Sequence, residues 1–325
     1  MVGKLMKAVQ YKRYGGGATA LKHVEIPIPS PESGEVLLKV EAISLNPIDW
    51  KLQKGVARPF LPKRFPFTPG TDVAGEVVMV GPRVEKFKPG DKVVALLDLL
   101  NGGGLAEFAV ASEKLTVVRP PEVSAPEAAG LPIAAVTALK SLKEAAGLDL
   151  RANVLVTAAS GGVGHYAVQL AKKLGNAHVT ATCGTRNVDL VKSLGADEVI
   201  DYTTPEGASL GSPSGKKYDA VIHCANGMGF SAFSPHLSEN GKVIDLTPGP
   251  RAFWTWLVQK VTLSKKQLVP YIASPKAEEI ELMVSLVKQG VIRTVTDSRH
   301  ELSKAEDGWT KSLGGHATGK IIVEP

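Results

Sequence analysis

Hydrophobic and polar positions change rhythm near residue 126. Before it, short apolar runs are cut by glycine and proline. Val36-Leu-Leu-Lys-Val-Glu-Ala, Val73-Ala-Gly-Glu-Val-Val-Met-Val and Asp91-Lys-Val-Val-Ala-Leu-Leu are such runs, and their β-branched content and turn-like borders predict strands. Gly102-Gly-Gly104 supplies backbone freedom ahead of a further predicted strand, Ala106-Glu-Phe-Ala-Val. Many short strands with tight turns predict an irregular barrel.

From residue 126 the pattern becomes Ala-rich and helical, beginning Pro126-Glu-Ala-Ala-Gly-Leu-Pro-Ile-Ala-Ala-Val-Thr. Strands and helices then alternate. Predicted strands start at Asn153, His178, Glu198, Asp219 and Gly241, with helices at 163–174 and 187–194. Continuous apolar strands separated by helices predict an α/β, doubly wound parallel sheet covered on both faces. Helices at 277–289 and 303–313 follow, then a strand, Lys320-Ile-Ile-Val, that is expected to return to the first domain. The expected domains are 1–125, rejoined by 290–325, and 126–289.

Composition adds limits. The 325 residues are too many for one ordinary core and suit two domains. Only Cys183 and Cys224 carry thiols, both in apolar runs, so structural thiols in a reducing compartment are expected. The net charge of +6 is scattered, with small clusters at Lys63-Arg64, Lys216-Lys217 and Lys265-Lys266. No basic-aromatic RNA motif accompanies it, so no nucleic-acid partner is expected. A mildly positive surface favours anionic cofactors and peripheral contact with anionic membranes; ordinary solvated lysines are the alternative. No apolar stretch has the length of a bilayer span, and the N-terminus lacks a signal or transit pattern.

Thr157-Ala-Ala-Ser-Gly-Gly-Val-Gly-His follows a predicted strand and opens a predicted helix. In that context Ser160, Gly161, Gly162, Val163 and Gly164 read as a dinucleotide phosphate turn at a helix N-terminus. Ala159 replaces the first glycine of the usual fingerprint. His165, next in line, is expected on the helix surface. At the end of the second strand, where NAD enzymes place a carboxylate, the chain has Cys183-Gly-Thr-Arg-Asn. Arg186, assisted by the Thr185 hydroxyl, is suited to a 2′-phosphate, which favours NADPH; a solvent-facing Arg186 is the other reading.

A zinc dehydrogenase needs Cys and His ligands, usually beside a Gly-His-Glu segment. The equivalent segment is Pro69-Gly-Thr-Asp-Val-Ala-Gly-Glu, with Thr71 in place of the histidine, and no cysteine precedes Cys183. No metal is therefore expected.

Asn46-Pro-Ile-Asp, Pro69-Gly-Thr-Asp-Val-Ala-Gly-Glu-Val, Leu131-Pro-Ile-Ala-Ala-Val-Thr-Ala-Leu, Ala158-Ala-Ser-Gly-Gly-Val-Gly and Gly315-His-Ala-Thr-Gly-Lys-Ile-Ile-Val together resemble the quinone oxidoreductase branch of the medium-chain dehydrogenase/reductase superfamily. The resemblance covers essentially the whole chain, and its plant envelope members are the most similar. It implies a GroES-like barrel with a Rossmann domain and an active site in the cleft between them. It also implies NADPH, and reduction of quinones or α,β-unsaturated carbonyls such as oxidised-lipid enones and ketols. The apolar, electrophilic substrate would receive a hydride at its β-carbon. By the same resemblance Asn46 would hold substrate or cofactor ribose, Thr71 would donate a hydroxyl near the nicotinamide, and Thr137 and Leu246 would border the cofactor. Tyr202 would touch the adenosine phosphate. Each has an alternative as a turn, packing or strand-end residue.

Many bacterial members carry Tyr where this chain has Lys51. An ammonium there would polarise a carbonyl or bind phosphate, or be a solvated rim residue. The resemblance further implies a homodimer and a peripheral place at the chloroplast inner envelope, against a cytoplasmic alternative. The aromatic run Phe253-Trp-Thr-Trp-Leu-Val leaves four readings open: substrate pocket, dimer interface, lipid contact or core helix. A non-catalytic NADPH-binding sensor or membrane-associated interaction protein is the competing function.

Overall fold

A computed structural model describes residues 3–58, 60–62, 64–146 and 152–325. Lys63, and the first two residues of the N-terminal segment, lie outside the described residues. The chain divides into two units, Met1–Ala134 with Pro275–Pro325, and Ala135–Ser274.

The first unit carries β1 (Leu5–Gln10), β2 (Lys22–Pro27), β3 (Glu35–Leu45), β4 (Asp72–Val80), β5 (Lys92–Leu96), β6 (Phe108–Ser112) and β7 (Thr116–Val118). The second carries β8 (Asn153–Val156), β9 (His178–Cys183), β10 (Glu198–Asp201), β11 (Tyr218–His223), β12 (Leu237–Asp245) and β13 (Gln267–Pro270). The chain then returns to the first unit with β14 (Thr296–Glu301) and β15 (Lys320–Glu324).

In the first unit β1 and β2 form a two-stranded sheet, and a seven-stranded sheet runs β14-β15-β3-β4-β5-β7 with β6 also on β3. The long strand β3 holds this sheet together because its inward positions, including Val36, Leu38, Val40 and Ile43, are buried. Each such side chain contributes about 1.5–3 kcal/mol when fully buried. β15 pairs antiparallel with the end of β3, Ile321 opposite Leu45, so the C-terminal strand returns as expected. Trp309 closes the core; its indole N–H donates to Gln53 Oε1 at 3.3 Å.

The units differ from the expected domains at both boundaries. The helix Ala125–Ala129 belongs to the first unit, where the Glu127 carbonyl accepts from Thr294 Oγ1 at 3.0 Å. The helix Ala277–Lys288 also packs there, against β7. Its apolar face, with Ile280, Met283, Val284 and Leu286 buried, resembles that of a Rossmann helix, so pattern alone does not say which sheet it covers.

In the second unit all sheet pairings are parallel, in the order β10-β9-β8-β11-β12-β13. That is the dinucleotide-binding order, with its switch point between β8 and β11. The helix Pro250–Val261 departs from a core helix: only Ala252 is buried, while Phe253, Trp254, Leu257, Val258 and Val261 form one exposed apolar face. No helix among the described residues is long and apolar enough to cross a membrane.

Candidate functional site

Two polar sites are built, one in each unit. In the second, the chain leaves β8 through a turn that forces Ala158 to φ 47°, a left-handed conformation that disfavours a Cβ. Gly161 N–H donates to Ala158 O at 2.9 Å, which closes the turn. Gly164 then starts the helix Gly164–Lys173 against the turn backbone: a Cβ there would lie 2.2 Å from Ala158 O and 2.8 Å from Ala159 Cα. No acceptor among the described residues meets the main-chain N–H of Gly162 or Val163. Those donors, at a helix N-terminus, fit a pyrophosphate.

His165 is buried rather than on the helix surface. Its Nδ1 lies 2.8 Å from Gly161 O, and its ring is tilted against that of Tyr166 with centroids 3.8 Å apart. An imidazole that bonds the turn backbone is a brace, and brings the helix face inward. Ser160 Oγ accepts from Asn187 Nδ2 at 3.0 Å, which ties the turn to the segment after β9. Asn187 is a residue that sequence reasoning missed.

After β9 a short 3-10 turn, Thr185–Asn187, carries Arg186, which is exposed. Thr185 is less available than expected: its hydroxyl donates to Asp201 Oδ2 at 2.6 Å. Asp201 stands opposite Cys183 in the β9–β10 register. Hydrogen bonds from Thr185 and Thr203 hold its carboxyl below the usual carboxylate range. Tyr202 is half exposed, with its hydroxyl beside Gly184. Thr137 is half-buried in the first turn of the helix Val136–Ala146. The Leu246 main-chain N–H is engaged with His223 O at 3.1 Å, so only its side chain and carbonyl remain for a ligand.

The switch point holds polar residues that the sequence reading passed over. Thr157 Oγ1 lies 2.9 Å from His223 Nδ1 and accepts from Cys224 N–H at 3.0 Å. Burial keeps the His223 imidazole below its ordinary pKa despite the nearby Asp245. These residues end parallel strands, the edge where such sheets bind ligands, and that placement was the available signal.

The first unit contains a buried polar network around Asn46. Its Nδ2 donates to Asp72 Oδ2 at 3.0 Å and to Ser44 O at 3.2 Å, while Oδ1 accepts from Lys320 Nζ at 2.6 Å. Both amide protons are therefore spent, and one lone pair is left. Within the described residues Asn46 is a junction between charged groups. Lys320 also donates to Leu45 O at 3.3 Å, and Asp72 Oδ2 accepts from Ile133 N–H at 3.1 Å. Asp49 accepts from the main-chain N–H of Asn46 at 2.7 Å and from that of Gly70.

Burial drives the ionisation of this network. It pushes Asp49 up to about 6, against the lowering hydrogen bond from Asn46 and the Lys320 charge. It pushes Asp72 up to about 7, against the Lys320 charge and the Asn46 and Ile133 hydrogen bonds. Lys320 is pushed down by burial and pulled back up by Asp72 and Asp49. The folded Asp72 thus holds its proton to higher pH than the unfolded one, so it favours the folded state at low pH. That advantage is lost as pH rises from about 4 through about 7. Relative to Asp72→Asn, the native chain should lose on the order of 3 kcal/mol across that window. Urea unfolding of both proteins at pH 4.5 and 7.5 reads this out, and parallel curves would refute it.

Thr71 sits between Gly70 and Asp72, buried, and its Oγ1 has no partner among the described residues. Gly102 and Gly104 pack against Thr68 and Gly70; a Cβ on Gly104 would meet the Gly70 backbone at 2.7 Å. Lys51, on the helix Pro47–Lys54, is half-buried with its ammonium 5.8 Å from the Trp50 ring centroid. The sequence-predicted Asn46 and Thr71 are thus joined through Asp72, whereas Lys51 takes no part in the contacts described for that network.

Both units match known proteins. The model of the alcohol dehydrogenase GroES-like domain matches residues 32–122, and that of the zinc-binding dehydrogenase family matches residues 194–323. The chain is 69% identical to the Arabidopsis thaliana protein named chloroplast envelope quinone oxidoreductase homolog, with 100% of each covered. The chain belongs to the quinone oxidoreductase branch of the medium-chain dehydrogenase/reductase superfamily. As a member of that branch it is an oxidoreductase with a GroES-like domain and a Rossmann-type domain for a nicotinamide dinucleotide. It is also 36% identical to the Arabidopsis NADPH-dependent alkenal/one oxidoreductase, chloroplastic, over 100% of this chain and 81% of that protein. The solved quinone oxidoreductase from Coxiella burnetii shares the branch fold, with a TM-score of 0.89, 31% identity, and coverage of 99% of this chain and 100% of that one.

Proposed function

We propose that this quinone oxidoreductase relative is a zinc-independent, NADPH-dependent reductase of electron-poor C=C bonds. Its substrates would be α,β-unsaturated carbonyls, such as oxidised-lipid enones or ketols, or quinones. The observation that carries the reading is the buried Thr71 hydroxyl without a partner among the described residues, where a zinc dehydrogenase needs a histidine ligand. A buried hydroxyl left unpaired costs about 1–3 kcal/mol, a cost that a ligand oxygen removes. The alkenal/one relative, named NADPH-dependent, supports both the cofactor and the enone class.

When bound, NADPH supplies the hydride. The turn from Ser160 to Gly164 would hold its pyrophosphate, and Arg186 its 2′-phosphate, beside Thr185 and Tyr202. Thr137 and Leu246 would border its other half. Thr71 would donate to the substrate oxygen as negative charge develops there, the group a reduction of this kind must stabilise. Lys51 adds a positive charge on the same unit, suited to a polarised carbonyl.

Following NADPH and NADH oxidation with a short enone, a long-chain oxidised-lipid enone and a quinone tests the reading. Turnover of enones with NADPH supports it. Turnover of the quinone alone narrows it to quinones, and preference for NADH removes Arg186 from the cofactor site. No turnover with NADPH still bound would replace it by the non-catalytic binding protein.

The same proposal assigns the enzyme to the chloroplast envelope, attached peripherally. The exposed face of the helix Pro250–Val261, with Arg251 and Lys260 on the same helix, suits an anionic lipid surface. Neighbouring Lys265 is paired with Glu239, and Lys266 donates to Ser234 O, so neither is a free lipid contact. Sedimentation with anionic but not neutral vesicles is expected; equal behaviour with both would remove this attachment.

A further inference from the structure

A buried lysine is an unusual way to begin a strand. Lys320 is only 3% exposed, at the first position of β15, and meets the Asn46 side-chain amide, which bonds buried Asp72, while the Asn46 main-chain N–H bonds buried Asp49. Taking one ion out of water costs several kcal/mol even after relaxation, and a well-packed apolar side chain often serves stability as well or better. The contacts point to a further task. The backbone on either side of Thr71 is tied to this network. Gly70 N–H donates to Asp49, and Asp72 is held by Asn46 and by Ile133 N–H. Thr71 O accepts from Leu97 N–H at 2.7 Å, which fixes the strand edge on the other side. Thr71 Oγ1 is buried and unpartnered among the described residues, as is the neighbouring Asp72 Oδ1, and it is the only hydroxyl of this segment.

We propose that Lys320 is a positioning residue for Thr71: through Asn46, Asp72 and Asp49 it fixes the Gly70–Asp72 backbone and so the place of the Thr71 hydroxyl. This rests on the reading of Thr71 as the donor to substrate. The titratable groups that face the ammonium are Asp72 on β4 and Asp49 on the helix Pro47–Lys54; the Tyr11 phenol faces Asp49 in turn. Removing Lys320 alone would strand two buried carboxylates and endanger folding. The informative variant is therefore Lys320→Met with Asp72→Asn, which removes one charge of each sign.

The double variant should melt within a few degrees of the native chain and bind NADPH with unchanged affinity, while kcat for an enone falls about 10–100-fold. Adding Thr71→Val to it should cost no further factor, although Thr71→Val alone lowers kcat in the native background. The Thr71 methyl resonance, assigned by its loss in Thr71→Val, should shift in the double variant whether or not turnover is seen. A folded double variant with native kcat and an unmoved Thr71 resonance would overturn the proposal. So would a Thr71→Val penalty of the same size in both backgrounds. If Thr71→Val alone leaves kcat untouched while its resonance still moves in the double variant, the donor reading fails and the positioning stands.

Discussion

Gly164→Val should abolish useful cofactor binding, weakening NADPH by at least about 100-fold, or about 2.7 kcal/mol. The cause is steric and local. A Cβ at this position would sit 2.2 Å from Ala158 O and 2.8 Å from Ala159 Cα, and both obstacles are backbone. No rotamer change relieves the clash, so the helix start must move away from the turn. Overpacking of this kind costs about 1–3 kcal/mol of stability. The same displacement opens the turn whose N–H groups are to meet the pyrophosphate. Gly161→Ala is the internal control: its Cβ would lie 3.2 Å from Ala158 O, a contact that a few tenths of an ångström relieve. It should weaken binding less than about 10-fold, or about 1.4 kcal/mol. Fluorescence titration with NADPH, beside a thermal melt, ranks the two. A Gly164→Val protein that binds within threefold of native would show that the turn is not the phosphate site.

Arg186→Ala should weaken NADPH about 10–100-fold and leave NADH within twofold, since a hydrogen bond to a charged group contributes about 1.5–3 kcal/mol. The proposed discrimination rests on this one side chain. Thr185, the neighbouring candidate, already gives its proton to Asp201, whose carboxylate sits opposite the end of β9. A carboxylate so near does not favour a dianionic phosphate, and Arg186 has to outweigh it. Arg186→Lys should recover only part of the loss, because an ammonium has no fork to match two phosphate oxygens. The NADPH affinity of the native chain should also fall with salt more steeply than that of Arg186→Ala. Equal weakening of both nucleotides would move Arg186 to a role at the shared part of the cofactor.

The parts of this molecule legible in its sequence are those whose burial leaves a pattern. β3, β4, β8, β9 and β11 are covered on both faces or alternate cleanly, and the chain reads as strand there. β14 was invisible because it is a polar edge strand, Thr-Asp-Ser-Arg-His-Glu, that buries little. β13 is short, follows two lysines and ends in proline, which argues against a strand except at an edge. The glycine turn was legible because its residue types are dictated by close backbone approach. The Asn46 network was half legible. Asn46 and Thr71 lie in motifs, but Lys320 reads locally as a solvated lysine before an apolar strand. Only the pairing of β15 with β3 brings it to an amide 274 residues away. His165 failed for a similar reason: a polar residue at a helix start looks exposed until its ring is seen bonding the turn beneath it.

The two thiols have a bearing on the proposed chemistry that concerns the enzyme's own survival. Enones and quinones are Michael acceptors, and they alkylate thiolates. Burial pushes Cys183 up to about 11, helped by the Asp201 charge, and pushes Cys224 up to about 12. Near pH 8 roughly one Cys183 in a thousand, and fewer Cys224, would carry the reactive anion. Both sulfurs are free, and the sequence contains no other cysteine. A reductase so equipped should outlast the electrophiles it consumes, and its intact mass after prolonged turnover should carry no adduct on either cysteine.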